Sequence, residues 1–83
     1  MRGKGVDKNF ERQNLRGVNL QGANLADTSF ISADLSQANL QDADLSRTKL
    51  VQTQLDETDL TGATLTGAYI EDWGITPTTI LNG

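Results

Sequence analysis

The sequence predicts an all-β solenoid, and three regularities carry that prediction. One large apolar residue returns at every fifth position, from Phe10 through Leu15, Leu20, Leu25, Phe30, Leu35, Leu40, Leu45, Leu50, Leu55, Leu60 and Leu65 to Ile70. Two residues before most of them stands something small (Ala23, Thr28, Ala33, Ala38, Ala43, Thr48, Thr53, Thr58, Ala63, Ala68), and directly before them usually a polar residue such as Asn24, Asp34, Asn39, Asp44 or Asp59. The two positions that follow are mostly polar, with glycine at Gly17, Gly22, Gly62 and Gly67, where a turn can require an unusual backbone angle. A helix turns about 100° per residue, so apolar residues five apart step about 140° around it and soon point everywhere. In a flat strand an odd spacing throws successive side chains onto opposite faces. A chain that turns a corner once per repeat, always the same way, keeps every central residue in a common interior.

One repeat, Ala38-Asn39-Leu40-Gln41-Asp42, shows how the corner is written. Ala38 and Leu40 lie two apart and both face inward, while Asn39 between them faces out, as strand alternation requires. Asn9, Asn14, Asn19 and Asn24 hold the same outward position as Asn39, and short amide and carboxylate side chains there can bond nearby backbone at each bend. Segments such as Ala23-Asn24-Leu25, Ala33-Asp34-Leu35, Ala38-Asn39-Leu40 and Ala43-Asp44-Leu45 resemble the A(D/N)LXX consensus of the pentapeptide-repeat family over about three quarters of the chain. The resemblance implies a right-handed quadrilateral parallel β-helix of about three coils, in which four pentapeptides make one square turn and residues twenty apart stack. Phe10 and Phe30, the two phenylalanines, are spaced by one such turn. The segment Tyr69-Ile-Glu-Asp-Trp-Gly-Ile75 is similar to the C-terminal part of some cyanobacterial members.

Eighty-three residues hold one small domain, whose core would be marginal in a compact globule. Stacked coils solve this by burying leucine against leucine, each contributing roughly 1.5–3 kcal/mol, and by pairing backbones in parallel ladders. Expected core residues are Phe10, Leu20, Leu25, Phe30, Leu35, Leu40, Leu45, Leu50, Leu55 and Leu60. Residues 1–8 read as a flexible lead-in and 9–72 as the repeat β-helix. Residues 73–83 read as a C-terminal cap, with Trp73 and Ile75 laid over the last coil, because the repeat grammar fails there and Pro77 cannot donate to a ladder. Thr61, Thr64 and Thr66 suit exposed strand positions.

The chain has neither cysteine nor histidine, which removes disulfides, thiolate metal sites, Ser-His-Asp triads and Cys-His dyads. Asp42-Ala-Asp44 has the spacing of paired carboxylates, but a calcium or magnesium site needs more converging oxygens than these two acids supply. No metal, cofactor or small-molecule substrate is expected. The sequence contains no long apolar run for a membrane span, and the first residues lack the hydrophobic segment of a secretory signal, so a cytoplasmic location is the default expectation. Net charge is −4, and it is unevenly placed. Every Lys and Arg lies at or before Lys49, while Asp56, Glu57, Asp59, Glu71 and Asp72 follow Val51. That asymmetry reads as solubility, or as an axial polarity that orients a partner or stacks rods head to tail.

Three classes of function follow. General acid-base catalysis needs groups converging in a partly dry cleft, and a filled square helix offers none, so an enzyme is not expected. Direct nucleic-acid binding is disfavoured by the scarcity of basic residues. The family resemblance brings in mimicry of duplex DNA before gyrase, but the rod would rise only about 15 Å at strand-like coil spacing and its first half is electrically mixed. A structural or interaction module is the reading that remains, with an unidentified protein or a second copy as partner. Its expected surface is the face where outward aliphatics Ile31 and Val51 stack, with Lys49 and Tyr69 exposed beside them and Glu11 and Glu71 above and below. That stacking rests on the twenty-residue coil of the family resemblance.

Overall fold

The computed structural model describes residues 8–71, and the expected cap residues Trp73 and Ile75 lie outside them, as does the lead-in up to residue 7. Every backbone pairing in this span joins residues twenty apart and in parallel. Asn9 pairs with Ser29, Asn14 with Asp34, Asn19 with Asn39, Asn24 with Asp44, and the series runs on to Asp44 with Thr64. Two short strands, β1 (Lys49–Val51) and β2 (Tyr69–Glu71), pair in the same register, Lys49 with Tyr69 and Val51 with Glu71. Twenty residues therefore make one turn, four pentapeptides make its four sides, and the described chain completes just over three turns.

A single repeat accounts for all five of its backbone N–H groups. Ala38 N–H donates to Leu35 O at 3.0 Å and closes the preceding corner. Asn39 N–H donates to Val18 O in the coil before, at 2.9 Å, whereas Leu40 and Asp42 N–H donate to Asp59 O and Thr61 O in the coil after, each at 2.9 Å. The remaining donor, Gln41 N–H, has no carbonyl in reach and is taken by Asn39 Oδ1 at 3.0 Å. The same side-chain acceptor bond is made at Asn9, Asn14, Asn19, Asn24, Asp34, Asp44 and Asp59. At these positions the Asn or Asp before the central residue supplies the acceptor that the backbone lacks.

Every described corner but the one after Leu50 is closed, as in a type II turn, by a bond from the N–H three residues on to the central residue's carbonyl. Such a turn needs positive φ at its third residue, two after the central one. All twelve of those positions from Arg12 to Gly67 have φ between 56° and 75°, and eight are not glycine. At Gly62 a Cβ would also meet the end of the exposed Asp42 side chain of the coil before, which would have to turn aside. Thr61 and Thr66 fall at corners rather than on strand positions, their carbonyls accepting from Asp42 and Arg47 N–H of the coil before, while Thr64 pairs with Asp44 in the ladder.

Inside the square, Leu25, Phe30, Leu35, Leu40, Leu45, Leu50, Leu55 and Leu60 are buried with Ala33, Ala38 and Ala43 between them. The small inward threonines satisfy their hydroxyls on backbone: Thr48 Oγ1 donates to Leu45 O, Thr53 to Phe30 O and Thr58 to Leu35 O, at 2.7–2.9 Å. Thr28 Oγ1 has no partner among the described residues. Phe10 stacks on Phe30 with ring centroids 5.7 Å apart and planes 28° from parallel. Phe10 and Leu20, expected as core, are only half-buried and pack against the core from its edge, because they belong to the first coil. Lys8, placed in the lead-in by sequence, already joins the ladder, its carbonyl accepting from Ser29 N–H at 3.0 Å.

Burial orders the expected cost of truncation. Leu40→Ala in the middle coil should cost about 2–5 kcal/mol, and Leu20→Ala less than half of that, as read by urea unfolding followed by far-ultraviolet circular dichroism.

Candidate interaction face

The four sides of the square are named here by their middle-coil residues, Phe30, Leu35, Leu40 and Leu45. On three of them most outward positions before the central residue do the structural work of the repeat, with Gln54 and Thr64 standing in for Asn or Asp in the last coil. Asp44 Oδ1 accepts from both the N–H and the hydroxyl of Ser46, at 3.0 and 2.6 Å, and Asp59 accepts the same pair from Thr61 at the same distances. Gln41 Nε2 adds a bond to Asp59 Oδ2 at 2.6 Å. These contacts hold both carboxyls below the ordinary carboxylate value, the hydroxyl first and the backbone N–H second. Asp34 is lowered likewise by the Ser36 hydroxyl and N–H, and more weakly by Arg16, whose Nη1 lies 3.5 Å from its Oδ2. At the corner after Leu25 and Leu45, Arg47 meets Asp27 of the coil before in a two-pronged pair, Nε to Oδ1 at 2.9 Å and Nη2 to Oδ2 at 3.0 Å. Among the described residues, no three His, Cys, Asp or Glu side chains gather as a metal site, and Asp44 of the Asp42-Ala-Asp44 pair is engaged with Ser46.

The Phe30 side departs from this pattern. Its column of residues before the central position reads Asn9, Ser29, Lys49 and Tyr69, so after the first coil no Asn or Asp remains to hold the backbone. The corner after Leu50 is also the one that lacks a turn bond to the central carbonyl, and the chain runs on extended as β1 against β2. With no Asn or Asp held to the backbone after the first coil, this column carries other side chains. It carries Tyr69, 57% exposed and the single large exposed hydrophobic residue among those described, and Lys49, which is exposed.

Beside it runs the column Glu11, Ile31, Val51 and Glu71. Arg12 N–H donates to Ile31 O and Ser32 N–H to Val51 O, both at 2.9 Å, which fixes these residues one above another at ladder spacing, about 4.8 Å. The sequence-expected residues Ile31, Val51, Lys49 and Tyr69 are therefore brought onto one face. Ile31 and Val51 are half-buried rather than fully outward, their side chains lying partly along the wall. Both glutamates are held by polar neighbours on the same face: Glu11 Oε2 accepts from Ser29 Oγ at 2.8 Å, and Glu71 Oε1 from Tyr69 OH at 3.3 Å. Reading the repeats twenty apart exposes what residue-by-residue reading missed. Besides the single losses at Gln54 and Thr64, three losses of Asn or Asp, at Ser29, Lys49 and Tyr69, fall in one column, and Asp27 stacks against Arg47.

The signature of the family described as Pentapeptide repeats matches residues 9–42 and 38–72, with eight copies. Among solved structures, the chain is similar to HetL, a pentapeptide repeat protein involved in heterocyst differentiation regulation from the cyanobacterium Nostoc sp. strain PCC 7120. The two share 39% identity over 77% of this chain and 30% of HetL, with a TM-score of 0.75. It is similar also to Rfr23 from the cyanobacterium Cyanothece 51142, at 31% identity over 77% of this chain and 44% of that one, TM-score 0.75. A pentapeptide repeat protein from the Arabidopsis thaliana thylakoid lumen matches at 28% identity over 74% of this chain and 57% of its own, TM-score 0.57. No relative is found among curated protein sequences. The chain thus spans under half the length of the two cyanobacterial structures.

The lowered carboxyls give the face-by-face difference a pH signature. Asp34, Asp44 and Asp59 stay charged in the fold at pH values where the unfolded chain takes up protons, so their stabilisation is present above the ordinary value of 3.8 and is lost as pH falls through their lowered values. Replacing all three by Asn keeps an acceptor for each N–H but removes the titration. Unfolding free energy should fall steeply in acid for the natural chain and less for the triple variant. With its square coils, its twenty-residue register and the signature matched from residue 9 to residue 72, the chain belongs to the pentapeptide repeat family and adopts that family's right-handed quadrilateral β-helix.

Proposed function

We propose that the chain is a non-enzymatic interaction module that engages a protein partner through the Phe30 side. The observation that carries this reading is the column Ser29, Lys49 and Tyr69, where the backbone-holding Asn or Asp is given up and side chains suited to recognition stand instead. Tyrosine combines a large apolar ring with a polar tip and is enriched where binding energy concentrates. Ile31 and Val51 add an apolar strip beside it. Two half-buried aliphatics fall far short of the roughly 800 Å² per partner of a standard interface, so a partner must also cover the Tyr69 ring and meet the Lys49 ammonium with an acidic group.

The relation to HetL, itself involved in regulation, supports a role exercised by binding rather than catalysis. No helix among the described residues is long and apolar enough to cross a membrane, and one structural relative comes from a thylakoid lumen, so the fold by itself assigns no compartment.

A partner captured by the natural chain should be lost on Ile31→Glu plus Val51→Glu and weakened about tenfold or more on Tyr69→Ala, a change on the scale of one hot-spot side chain. Gln21→Glu, on the Leu40 side, should leave it unchanged. Binding that survives the double change overturns this assignment. Inhibition of gyrase supercoiling by the chain would transfer the role to duplex mimicry.

A further inference from the structure

The Phe30 side presents its outward residues as rungs of two. Before and after the central position stand Asn9 and Glu11 in the first coil, Ser29 and Ile31 in the second, Lys49 and Val51 in the third, and Tyr69 and Glu71 in the fourth. The column Asn9, Ser29, Lys49 and Tyr69 consists wholly of side chains that can donate hydrogen bonds. The column Glu11, Ile31, Val51 and Glu71 has a carboxylate at each end and aliphatics between them. The face is therefore divided lengthwise into a donor half and an acceptor half, with its apolar groups in the middle coils.

Three of the four donors have capacity left. Lys49 is exposed, and its ammonium has no ion-pair partner among the described residues. Asn9 spends its Oδ1 on Glu11 N–H, which leaves the N–H groups of its amide over. Tyr69 OH reaches Glu71 Oε1 of its own chain at 3.3 Å, beyond the ordinary range of an O–H···O bond. On the acceptor side, Glu11 commits Oε2 to Ser29, and both Tyr69 and Glu71 are exposed.

We propose, resting on the assignment of the Phe30 side as the interaction face, that this side binds the same side of a second copy across a two-fold axis parallel to the stack of coils. Such an axis reverses the strand direction and keeps the height, so the donor column of each copy faces the acceptor column of the other, rung for rung. Asn9 meets the partner's Glu11, Tyr69 meets the partner's Glu71, and Lys49 lies beside the partner's Val51 and one rung from the partner's Glu71. Ile31 and Val51 cover their counterparts near the axis. A two-fold axis at right angles to the stack fails the same comparison: it lays each column on itself with the height inverted, and sets Glu11 against the partner's Glu71 twice. The contact is isologous, so every pair is made twice. A second copy thus supplies both things this face requires of a partner, an acidic group for Lys49 and cover for the Tyr69 ring. The face is three ladder spacings tall, about 14 Å, and small beside a standard interface, so the dimer forms only at high concentration.

The test is light scattering on the full chain over a concentration series. Average mass should rise toward that of two chains as concentration approaches about 1 mM, the scale of a contact this small. Glu71→Lys sets a lysine against Lys49 twice and should raise the dissociation constant about tenfold or more. Lys49→Glu should do the same, and the two changes together should return the constant to within about threefold of the natural value. Circular dichroism matching the natural chain shows that each variant is folded. Tighter association of Glu71→Lys overturns the proposal, since only the right-angle arrangement gains from that change. Association that survives Ile31→Glu plus Val51→Glu also overturns it, because the contact then lies on another side. A natural chain that stays monomeric at every concentration overturns the dimer, and capture of a different protein that is lost on Ile31→Glu plus Val51→Glu would in that case leave the assignment of the face itself standing.

Discussion

Each pentapeptide carries five backbone N–H groups into a wall stacked between other coils, and four of them find carbonyls: three in neighbouring coils and one across the corner. The fifth, directly after the central residue, has no carbonyl to reach, and an Asn or Asp two residues earlier takes it. An unpaired donor costs on the order of 1–3 kcal/mol where it is buried, and this donor is part-buried in the middle coil. Much of the repeat follows from this. At most repeats the position before the central residue carries a short acceptor, the position after it turns its N–H back along the chain, and the next takes a left-handed backbone that releases the chain into a new side. The inward small residue then fits because two consecutive sides meet there.

The left-handed position explains an apparent laxity in the sequence. Glycine fills only four of the twelve sites, and Arg12, Gln37 and Glu57 are among the others. A side chain in that conformation costs on the order of 1 kcal/mol, but glycine gives up a comparable amount through the freedom of the unfolded chain. The two nearly balance, so the site selects weakly and other pressures decide. At Arg47 the pressure is the pair with Asp27, which a glycine could not make.

Much of this was legible in the residues, and the reasons for the rest are physical. A period of five announces a corner per repeat, and the small and large inward residues follow from strand alternation, as Ala38 and Leu40 show. The period alone does not say how many corners close a turn. That number came from resemblance to a known family, and with it the stacking of Phe10 on Phe30 and of Ile31 over Val51. Positive φ at Arg12, Ser32 or Gln52 was not legible, because these residue types carry no preference for it. Half-burial of Phe10 and Leu20 was missed because the five-residue beat is the same in an end coil as in a middle one. On the Phe30 side, the outward aliphatics pointed to the four residues that the coil places on one face. The stronger signal, the lapse of the Asn or Asp column, becomes visible only once the sequence is folded in lengths of twenty.

The most direct test of this account is the stability of Asn39→Ala beside Asn39→Asp, measured by urea unfolding at neutral pH. Aspartate preserves the acceptor for Gln41 N–H and should leave the unfolding free energy within a few tenths of a kcal/mol of the natural chain, while alanine should lower it by about 1 kcal/mol. Equal stability of the alanine and aspartate variants would contradict the claim that this side chain closes the backbone hydrogen bonding of the repeat.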